Sequence, residues 1–425
     1  MAQPEPQALA ARAVAQVAAG RSLSDALPQV LEQALPARLR AAAQDLSYGT
    51  LRHYGRLKAH LEALAPRPVA DPLVRALVLV GLFQLLQQRA PAHAVVHQTV
   101  EATRSLDRGW AAAFVNGVLR NYLRQQQALE ARAKRRDTAR FSYPRWWINR
   151  LRRQYPDTYR RILEAGLTHP PMTLRVNLRR IDRQVYQERL AAAGIVSRPL
   201  GLAALVLAEP VGVKALPGFA EGLVSVQDAG AQLAAEFLDL APGLRVLDAC
   251  AAPGGKTAHI LETADVELLA LDRDPSRLAR VEDNLARLGL MAEVRAGDAG
   301  TPQDWWDGRP FHRILADVPC SASGVVRRHP DSKWLRRDTD IPALAAQQGR
   351  ILDALWRLLA PGGKLLYATC SLFAEENLRV VQAFLTRRPD ARLHPLPGHP
   401  EGFVQLLPDA DHDGFFYALL AKPGA

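Results

Sequence analysis

The chain has 425 residues, of which 48% are hydrophobic and 23% are charged, which excludes a disordered or fibrous protein and suggests two or three globular domains. Its three cysteines include no CxxC pair, and no HExxH motif occurs among the eleven histidines. We therefore expect neither a disulfide framework nor a bound metal. The net charge of +11 indicates an anionic partner, with nucleic acid as the first candidate.

We expect a cytoplasmic protein without membrane contact. The N-terminal sequence MAQPEPQALAARAVAQ has no basic start and no continuous apolar core, so it is unlike a secretory signal. The most apolar run, LVRALVLVGLFQLL at 73–86, is too short to span a bilayer and contains Arg75. This run predicts a buried core helix.

Residues 1–128 predict a purely helical region. Asp71 followed by Pro72 predicts a helix start, because Asp caps the first turn and Pro fits it. Apolar residues also recur at helical spacing in ALAARAVAQVAAG (8–20), LSYGTLRHYGRLKAHLEAL (46–64), HAVVHQTVEATRSL (93–106) and WAAAFVNGVLRNYLRQ (110–125).

Positive charge is concentrated between residues 101 and 161. This stretch contains 15 Arg or Lys residues and five acidic residues, which gives a net charge of +10. Interleaved aromatic residues are Tyr122, Phe141, Tyr143, Trp146, Trp147, Tyr155 and Tyr159. Basic residues neutralise phosphates and aromatic rings stack on bases, so the pattern is typical of a nucleic-acid-binding surface. The alternative is a solvated basic helix whose aromatic residues form a core.

The middle of the chain predicts a small α/β subdomain. Residues 129–140 (LEARAKRRDTAR) are charged and polar and predict a link, and WWINRLRRQYP (146–156) predicts a basic helix. Short strand-like runs follow at MTLRVNL (172–178), SRPLGLAALVLA (197–208) and GLVSVQD (222–228).

From residue 236 onwards, the pattern alternates between strands and helices. The predicted strands are LRVLD (244–248), ELLALD (267–272), AEVRAGD (292–298), HRILADVP (312–319) and GKLLYATC (363–370). The segment DPSRLARVEDNLARLG (274–289) predicts one of the intervening helices. This alternation is typical of a parallel, doubly wound sheet, in which ligands bind at the carboxyl ends of the strands.

The first of these strands ends in the sequence DACAAPGGKT (248–257). A Walker A loop would need glycine at the position of Cys250. Asp272 follows Gly255 by 17 residues, a spacing suited to an acid that binds ribose hydroxyls, and Asp298 follows the third strand. This set favours a nucleoside cofactor without a phosphate tail, namely S-adenosylmethionine. A P-loop ATPase is the rival, since RILAD (313–317) imitates its second motif.

Two further strands end in a cysteine motif. Asp317-Val-Pro-Cys320 differs from the Asn/Asp-Pro-Pro-aromatic tetrapeptide that typically serves methylation of an exocyclic amine. A thiol instead suits carbon 5 of cytosine, because a thiolate that adds to carbon 6 makes carbon 5 nucleophilic. Asp317 can bind the N3/N4 edge of the base, and release of the enzyme needs a general acid or base. On this argument either Cys320 or Cys370 can be the nucleophile.

Several of these motifs resemble known families. DACAAPGGKT, RILADVPCSASG (313–324) and YATCSLFAEEN (367–377) resemble the signatures of the RNA cytosine-C5 methyltransferases of the NOL1/NOP2/Sun family. HAVVHQTVEA (93–102) and FVNGVLRNYL (114–123) resemble the NusB-like RNA-binding helical domain. Together they cover nearly the whole chain and are similar to the bacterial branch of the family that methylates 16S rRNA.

The resemblance implies roles for individual residues. The RNA family uses the Thr-Cys cysteine as nucleophile, here Cys370, while the Pro-Cys thiol, here Cys320, assists breakdown of the adduct and Asp317 stabilises it. The residues expected to bind S-adenosylmethionine are Cys250, Ala251, Ala252, Pro253, Gly254, Gly255, Lys256, Asp272, Asp298 and Asp317. One departure is His312, where the family often has Asp; because it precedes the strand, we expect no chemical effect.

These inferences predict three domains. Residues 1–135 form an all-α NusB-like RNA-binding domain, residues 136–235 form a small α/β subdomain that presents RNA, and residues 236–425 form a Rossmann-like methyltransferase domain. The expected reaction is formation of 5-methylcytosine in 16S rRNA, either naked or in an early small-subunit particle, by a monomer. The alternatives are methylation of tRNA and a non-catalytic RNA-binding factor of the NusB type.

Overall fold

The computed structural model describes residues 5–31 and 35–424. The first four residues of the N-terminal sequence considered above lie outside the described residues. In chain order, the α-helices are α1 (Pro6–Ala18), α2 (Leu23–Val30), α3 (Ala37–Arg52), α4 (Tyr54–Leu64), α5 (Pro72–Gln87), α6 (Ala92–Ser105), α7 (Ala112–Lys134), α8 (Asp137–Arg140), α9 (Arg145–Gln154), α10 (Tyr159–Ala165), α11 (Arg183–Ala192), α12 (Ala229–Phe237), α13 (Gly255–Thr263), α14 (Pro275–Leu288), α15 (Ser332–Leu335), α16 (Asp340–Trp356) and α17 (Leu378–Arg387).

The strands belong to two sheets. In chain order, they are β1 (Thr173–Val176), β2 (Ser197–Leu200), β3 (Ala204–Leu207), β4 (Val224–Val226), β5 (Arg245–Asp248), β6 (Glu267–Asp272), β7 (Glu293–Ala296), β8 (Phe311–Asp317), β9 (Leu359–Thr369), β10 (Arg392–Leu393), β11 (Phe403–Leu406) and β12 (Phe415–Ala421). Single turns of 3₁₀ helix occur at Gly109–Ala111, Val213–Ala215 and Pro302–Asp304.

The chain divides into two compact units. The helical unit comprises Met1–His169 together with Val326–Asp338, and the α/β unit comprises Pro170–Val325 together with Thr339–Ala425. Both units are therefore discontinuous in sequence. The predicted domain boundaries at 135/136 and 235/236 stay a proposal.

The helical unit is built around α5. Its apolar sequence is buried over most of its circumference, which confirms the core helix predicted at 73–86. The helix starts as predicted, because the Asp71 carboxylate accepts hydrogen bonds from the backbone N–H groups of Leu73 and Val74 at 2.9 and 3.0 Å. Among the described residues, no helix is both long and apolar enough to cross a bilayer.

The predicted helical segment 46–64 is interrupted at His53, where α3 ends and α4 begins. Two side chains from the segment 326–338 donate hydrogen bonds to carbonyl oxygens near the end of α3. Trp334 Nε1 donates to the Leu51 carbonyl at 2.8 Å, and Lys333 Nζ donates to the Arg52 carbonyl at 2.9 Å. These donors replace hydrogen bonds that a continuous helix would make, which accounts for the break.

The link predicted at 129–140 is wrong, because α7 continues to Lys134 and α8 follows at 137–140. Leu129 is buried in the helical core, and Glu130 accepts a 2.9 Å hydrogen bond from His60 Nε2. The charged sequence hides these inward-facing contacts, which hold the C-terminal half of α7 against α4.

The aromatic residues of the basic stretch divide into two groups. Tyr122, Phe141, Tyr143 and Trp147 are each at most 3% exposed, so they are core residues and cannot stack on bases as they stand. Trp146, Tyr155 and Tyr159 are half-buried. For the four buried rings, the alternative interpretation of an aromatic core is correct.

The smaller sheet of the α/β unit has the strand order β2-β3-β1-β4, with all neighbours antiparallel. The predicted run 197–208 forms two strands instead of one, because Gly201 adopts a positive φ of 53° and reverses the chain between β2 and β3.

The larger sheet has the order β10-β12-β9-β8-β5-β6-β7, and β11 pairs with β12. Strands β5 to β9 are parallel, as predicted, while β12 is antiparallel to β9 and extends the sheet at that edge. Strands β10 to β12 were not predicted from the sequence. The parallel core places the carboxyl ends of β5, β6, β8 and β9 along one edge, where the chemically informative residues lie.

Candidate active site

The site begins with acids that end neighbouring parallel strands. Asp248 ends β5, Asp272 ends β6 and Asp317 ends β8. The strand register places Asp248 opposite Ala270 of β6 and Leu315 of β8, so the three acids belong to the same edge. The topology thus brings together residues that are up to 69 positions apart in sequence.

The loop between β5 and α13 is held by Asp272. One carboxylate oxygen accepts a 3.1 Å hydrogen bond from the Ala252 backbone N–H, and the other accepts a 3.0 Å bond from the Asp274 N–H. Gly254 has φ 94°, and a Cβ there would lie 3.0 Å from the Val281 Cα. Only glycine suits this close approach of the loop to α14, which explains its place in the motif.

The far side of the same loop is tied to the smaller sheet by Arg175 of β1. This fully buried arginine donates to both carboxylate oxygens of Glu262 at 2.8 Å and to the Gly255 carbonyl at 2.7 Å. A bidentate pair of this kind fixes orientation as well as position. No sequence motif marks Arg175 as part of the site.

A cavity of about 300 Å³ opens at the carboxyl edge of the sheet. The predicted site residues that line it are Cys250, Ala252, Asp272, Asp298, Asp317, Cys320 and Cys370. The predicted cofactor residues that are not part of its wall are Ala251, Pro253, Gly254, Gly255 and Lys256. They build the loop and the first turn of α13 behind it.

The donor chemistry of this cavity fits S-adenosylmethionine. Asp272 and Asp298 present carboxylates that can accept hydrogen bonds from ribose hydroxyls or an amino group, and that favour a cationic sulfonium. Gly297 lies at the wall, and a Cβ there would come within 2.8 Å of the Trp305 ring, so glycine allows that ring to pack against the backbone of the wall. Within residues 5–31 and 35–424, no group of three or more His, Cys, Asp or Glu could hold a metal ion.

Lys256 forms an ion pair with Asp317. Its Nζ lies 2.5 Å from an Asp317 carboxylate oxygen, and both side chains are largely removed from solvent. Burial alone would lower the pKa of Lys256, but the Asp317 charge and hydrogen bond outweigh burial and raise the pKa above its usual value. Lys256 is therefore a cation at neutral pH, and it also interacts electrostatically with Cys370.

The two predicted catalytic cysteines lie side by side. The Sγ atoms of Cys320 and Cys370 are 3.3 Å apart, with Cys320 9% exposed and Cys370 half-buried. The hydrogen bond to Cys370, together with burial, raises the pKa of the Cys320 thiol well above its usual value. Cys320 is accordingly a thiol at neutral pH and can donate a hydrogen bond to its neighbour.

Asp248 is a part of the site for which the sequence predicts no role. It is 1% exposed and accepts a 2.7 Å hydrogen bond from Thr257 Oγ1. Burial raises its pKa to about 7, with a further contribution from the Asp317 charge, against the opposing effect of the Thr257 hydrogen bond. In the sequence, the position of Asp248 at the end of the first predicted strand of the parallel sheet indicates that it belongs to the site.

Further residues of the cavity wall could not be found from motifs. Gln347 and Ile351 reach it from α16, which carries no motif. Arg277 reaches it from α14 and donates to the Ala252 carbonyl at 2.9 Å. In the sequence, Arg277 is marked by its place in the first turn of the helix that follows Asp272.

Comparisons with known proteins agree with this geometry. Family models match for the 16S rRNA methyltransferase RsmB/F at residues 235–421, for the NusB family at 4–124, and for the RsmF/B-like ferredoxin-like domain at 143–214. The "Ribosomal RNA small subunit methyltransferase B" of Vibrio cholerae is 49% identical over 98% of this chain and 97% of its own length. Its namesake from Pseudomonas putida is 47% identical over 99% of each chain.

The chain belongs to the 16S rRNA methyltransferase RsmB/F family.

The predicted fold class is confirmed by this membership of the RsmB/F family, with a NusB-type helical part, a ferredoxin-like subdomain and a Rossmann-like methyltransferase domain. The crystal structure of a methyltransferase homolog protein from Pyrococcus horikoshii superimposes with a TM-score of 0.59 at 30% identity, covering 67% of this chain and 97% of that one. The RsmB/F chain is thus an enzyme whose cofactor is S-adenosylmethionine and whose substrate is RNA.

Proposed function

We propose that this enzyme methylates carbon 5 of a cytosine in 16S rRNA through a covalent adduct between Cys370 and carbon 6 of the base. The observation that carries the proposal is the pair of thiols 3.3 Å apart at the ends of β8 and β9, on the wall of one cavity with Asp317. Relatives at 47–49% identity are named as small-subunit rRNA methyltransferases, which supports the choice of RNA.

Cys370 is proposed as the nucleophile because it combines access with a neighbouring cation. It is more exposed than Cys320, and it interacts electrostatically with the Lys256 ammonium. The Cys370 thiolate adds to carbon 6, and the electron pair of the carbon 5–carbon 6 double bond moves towards carbon 5. The bound cofactor supplies an electrophilic methyl group for that carbon.

Asp317 acts when the base binds, and Cys320 acts when the adduct is released. Asp317, held in place by Lys256, binds the N3/N4 edge of the cytosine and orients carbon 6 towards Cys370. After methylation, the carbon 5 proton passes to water, and the electron pair of the carbon 5–hydrogen bond re-forms the carbon 5–carbon 6 double bond as the carbon 6–sulfur bond breaks. The electron pair of that bond leaves with the Cys370 sulfur, and the Cys320 thiol donates a hydrogen bond to the departing thiolate.

Cofactor binding is proposed for the residues that build the pocket. Asp272 and Asp298 hold the nucleoside part, while the loop from Cys250 to Lys256 supplies the backbone that shapes the wall. Replacing Asp272 would remove both a ligand and the acceptor of the Ala252 N–H, so ligand loss and loop disorder would occur together.

Labelled S-adenosylmethionine tests the reaction and its substrate. The purified enzyme is incubated with tritiated cofactor and with RNA from cells that lack the enzyme. The labelled RNA is then sized and digested to nucleosides. We expect label in 16S rRNA as 5-methylcytidine. Label in tRNA would contradict the substrate while keeping the chemistry, and a different labelled nucleoside would contradict the chemistry.

A pair of cysteine variants tests the mechanism. Cys370→Ala is expected to abolish both methyl transfer and the covalent RNA adduct, because the nucleophile is absent. Cys320→Ala is expected to accumulate the adduct, because release is slowed. Denaturing gels of enzyme mixed with labelled 16S rRNA separate the outcomes, and an exchange of the two phenotypes would reverse our assignment of the cysteines.

A further inference from the structure

One buried carboxylate connects the two cysteine motifs. Glu376 lies between β9 and α17 and is 0% exposed. One of its carboxylate oxygens accepts a 2.8 Å hydrogen bond from the backbone N–H of Ser321, the residue after Cys320. The other accepts a 2.5 Å bond from the hydroxyl of Ser371, the residue after Cys370. A single side chain thereby contacts the position that follows each thiol.

The surrounding groups fix this carboxylate from a third side. Gln348 of α16 donates through Nε2 to Glu376 at 3.2 Å and to the Pro319 carbonyl at 2.9 Å. The Tyr367 hydroxyl donates to the Glu376 carbonyl at 2.6 Å. All the hydrogen-bond donors on the carboxylate are neutral, and in the described part of the chain no Lys, Arg or His forms an ion pair with it. The carboxylate is consequently held inside the protein by neutral hydrogen-bond donors.

We propose that Glu376 is a positioning residue that sets which of the two cysteines is the nucleophile: its carboxylate holds both cysteine motifs in contact by binding the residue that follows each thiol. The inference rests on the covalent mechanism proposed above. It extends that mechanism by giving a reason why two thiols only 3.3 Å apart have different roles.

The carboxylate acts on Cys320 through its charge as well as through the loop that it holds. An anion beside a thiol opposes its ionisation, and the effect is strong where water is excluded. Glu376 is among the groups that raise the pKa of Cys320, after the hydrogen bond and charge of Cys370 and burial itself. A thiol kept protonated in this way cannot compete for carbon 6, but it can donate to the Cys370 sulfur.

The pH dependence of Cys320 alkylation tests the proposal without requiring RNA or cofactor. The parent is the full chain carrying Cys370→Ser, which removes the coupling between the two thiols. Cys320 lines the cavity, so iodoacetamide can reach it, and mass spectrometry of peptides measures its rate separately from Cys250. Glu376→Gln keeps the size and most of the hydrogen bonds of the side chain but removes the charge.

We expect Glu376→Gln to shift the Cys320 profile to lower pH and to increase its alkylation rate at pH 8 about tenfold, the change in thiolate that corresponds to one pKa unit. Glu375→Gln is the matched control, since Glu375 is the adjacent residue and lies 3.7 Å from Arg379. It should leave the profile unchanged. Cys250 is the internal control, because the carboxylates that raise its pKa, after burial, are Asp317 and other acids at the sheet edge.

A further variant separates charge from geometry. Ser371→Ala deletes one hydrogen bond to the Glu376 carboxylate and keeps the charge of that carboxylate. The pH profile of Cys320 alkylation should therefore match that of the parent. An unchanged profile in Glu376→Gln, or an equal shift in Ser371→Ala, would overturn the proposal. If Glu376→Gln does not fold, Glu376→Asp replaces it. That variant retracts the charge from Ser321, and it should give a smaller shift in the same direction, whereas no shift would again overturn the proposal.

Because alkylation involves neither methyl transfer nor RNA, this experiment and the test of the reaction can fail independently. A labelled nucleoside other than 5-methylcytidine would remove the covalent mechanism but leave the effect of Glu376 on Cys320 measurable. A normal methylation product with an unchanged alkylation profile would instead remove the role of Glu376 alone.

Discussion

Replacing Asp248 by asparagine should make the stability of the α/β unit less sensitive to pH. Asp248 is almost completely buried, and its pKa is raised from 3.8 to about 7. A carboxyl with a raised pKa binds a proton more tightly in the folded chain than in the unfolded one. The stability that it contributes is therefore complete below pH 3.8 and is lost progressively as pH rises through about 7.

The size of the effect on the unfolding free energy follows from the shift in the pKa of Asp248. A shift from 3.8 to about 7 corresponds to about 4 kcal/mol of unfolding free energy lost above pH 8, and about 2.5 kcal/mol of this develops between pH 5 and pH 8. The side chain introduced by Asp248→Asn cannot ionise and keeps an oxygen that accepts from Thr257. Any cost of burying its amide group is the same at both pH values, so it cancels from the comparison.

The assay is urea unfolding at pH 5 and pH 8, followed by hydrogen exchange of peptides from β5 and α13. We expect the difference in unfolding free energy between Asp248→Asn and the parent to change by about 2.5 kcal/mol in favour of the variant at the higher pH. Asp283→Asn, at an exposed position of α14, is the control. A difference that stays constant between the two pH values would refute the reasoning.

Two further predictions concern buried ion pairs. Lys256→Met should lower kcat for 16S rRNA methylation by about 100-fold, because Asp317 loses the cation that holds it; an unchanged kcat would contradict this role. Arg175→Met should cost about 3–5 kcal/mol in urea unfolding by leaving Glu262 buried without a partner. The double variant Arg175→Met/Glu262→Leu should recover most of that loss, and failure to recover would mean that the contact of Arg175 with the Gly255 carbonyl dominates.

The sequence predicted the parallel strands of the catalytic domain well because their burial on both faces leaves short apolar runs that end in conspicuous polar residues. Asp272, Asp317 and Cys370 each follow such a run, and the strand order alone then brings them to one edge. The roles assigned to them remain proposals, but their proximity follows directly from parallel pairing.

What the sequence did not reveal depends on contacts between distant residues. The break at His53 follows from donors more than 270 positions away, and no local pattern at 46–64 encodes it. Strand β12 has an apolar sequence, but its antiparallel place beside β9 is decided by the sheet edge that β9 leaves open. Glu376 stood inside a recognised motif, yet only the structure shows that it contacts both cysteine loops.

The discontinuity of the helical unit has a practical consequence for gene fragments. A gene fragment that stops at the codon for His169 would encode the NusB-type part without residues 326–338. It would lack Lys333 and Trp334, which cap the carbonyls at the end of α3, and Asp331, whose carboxylate accepts from the Leu23 N–H at 2.9 Å. The helical part is therefore finished only after residues 170–325 of the α/β unit have been translated. Expressing it alone requires that residues 326–338 be added as a separate peptide or joined to it through a linker.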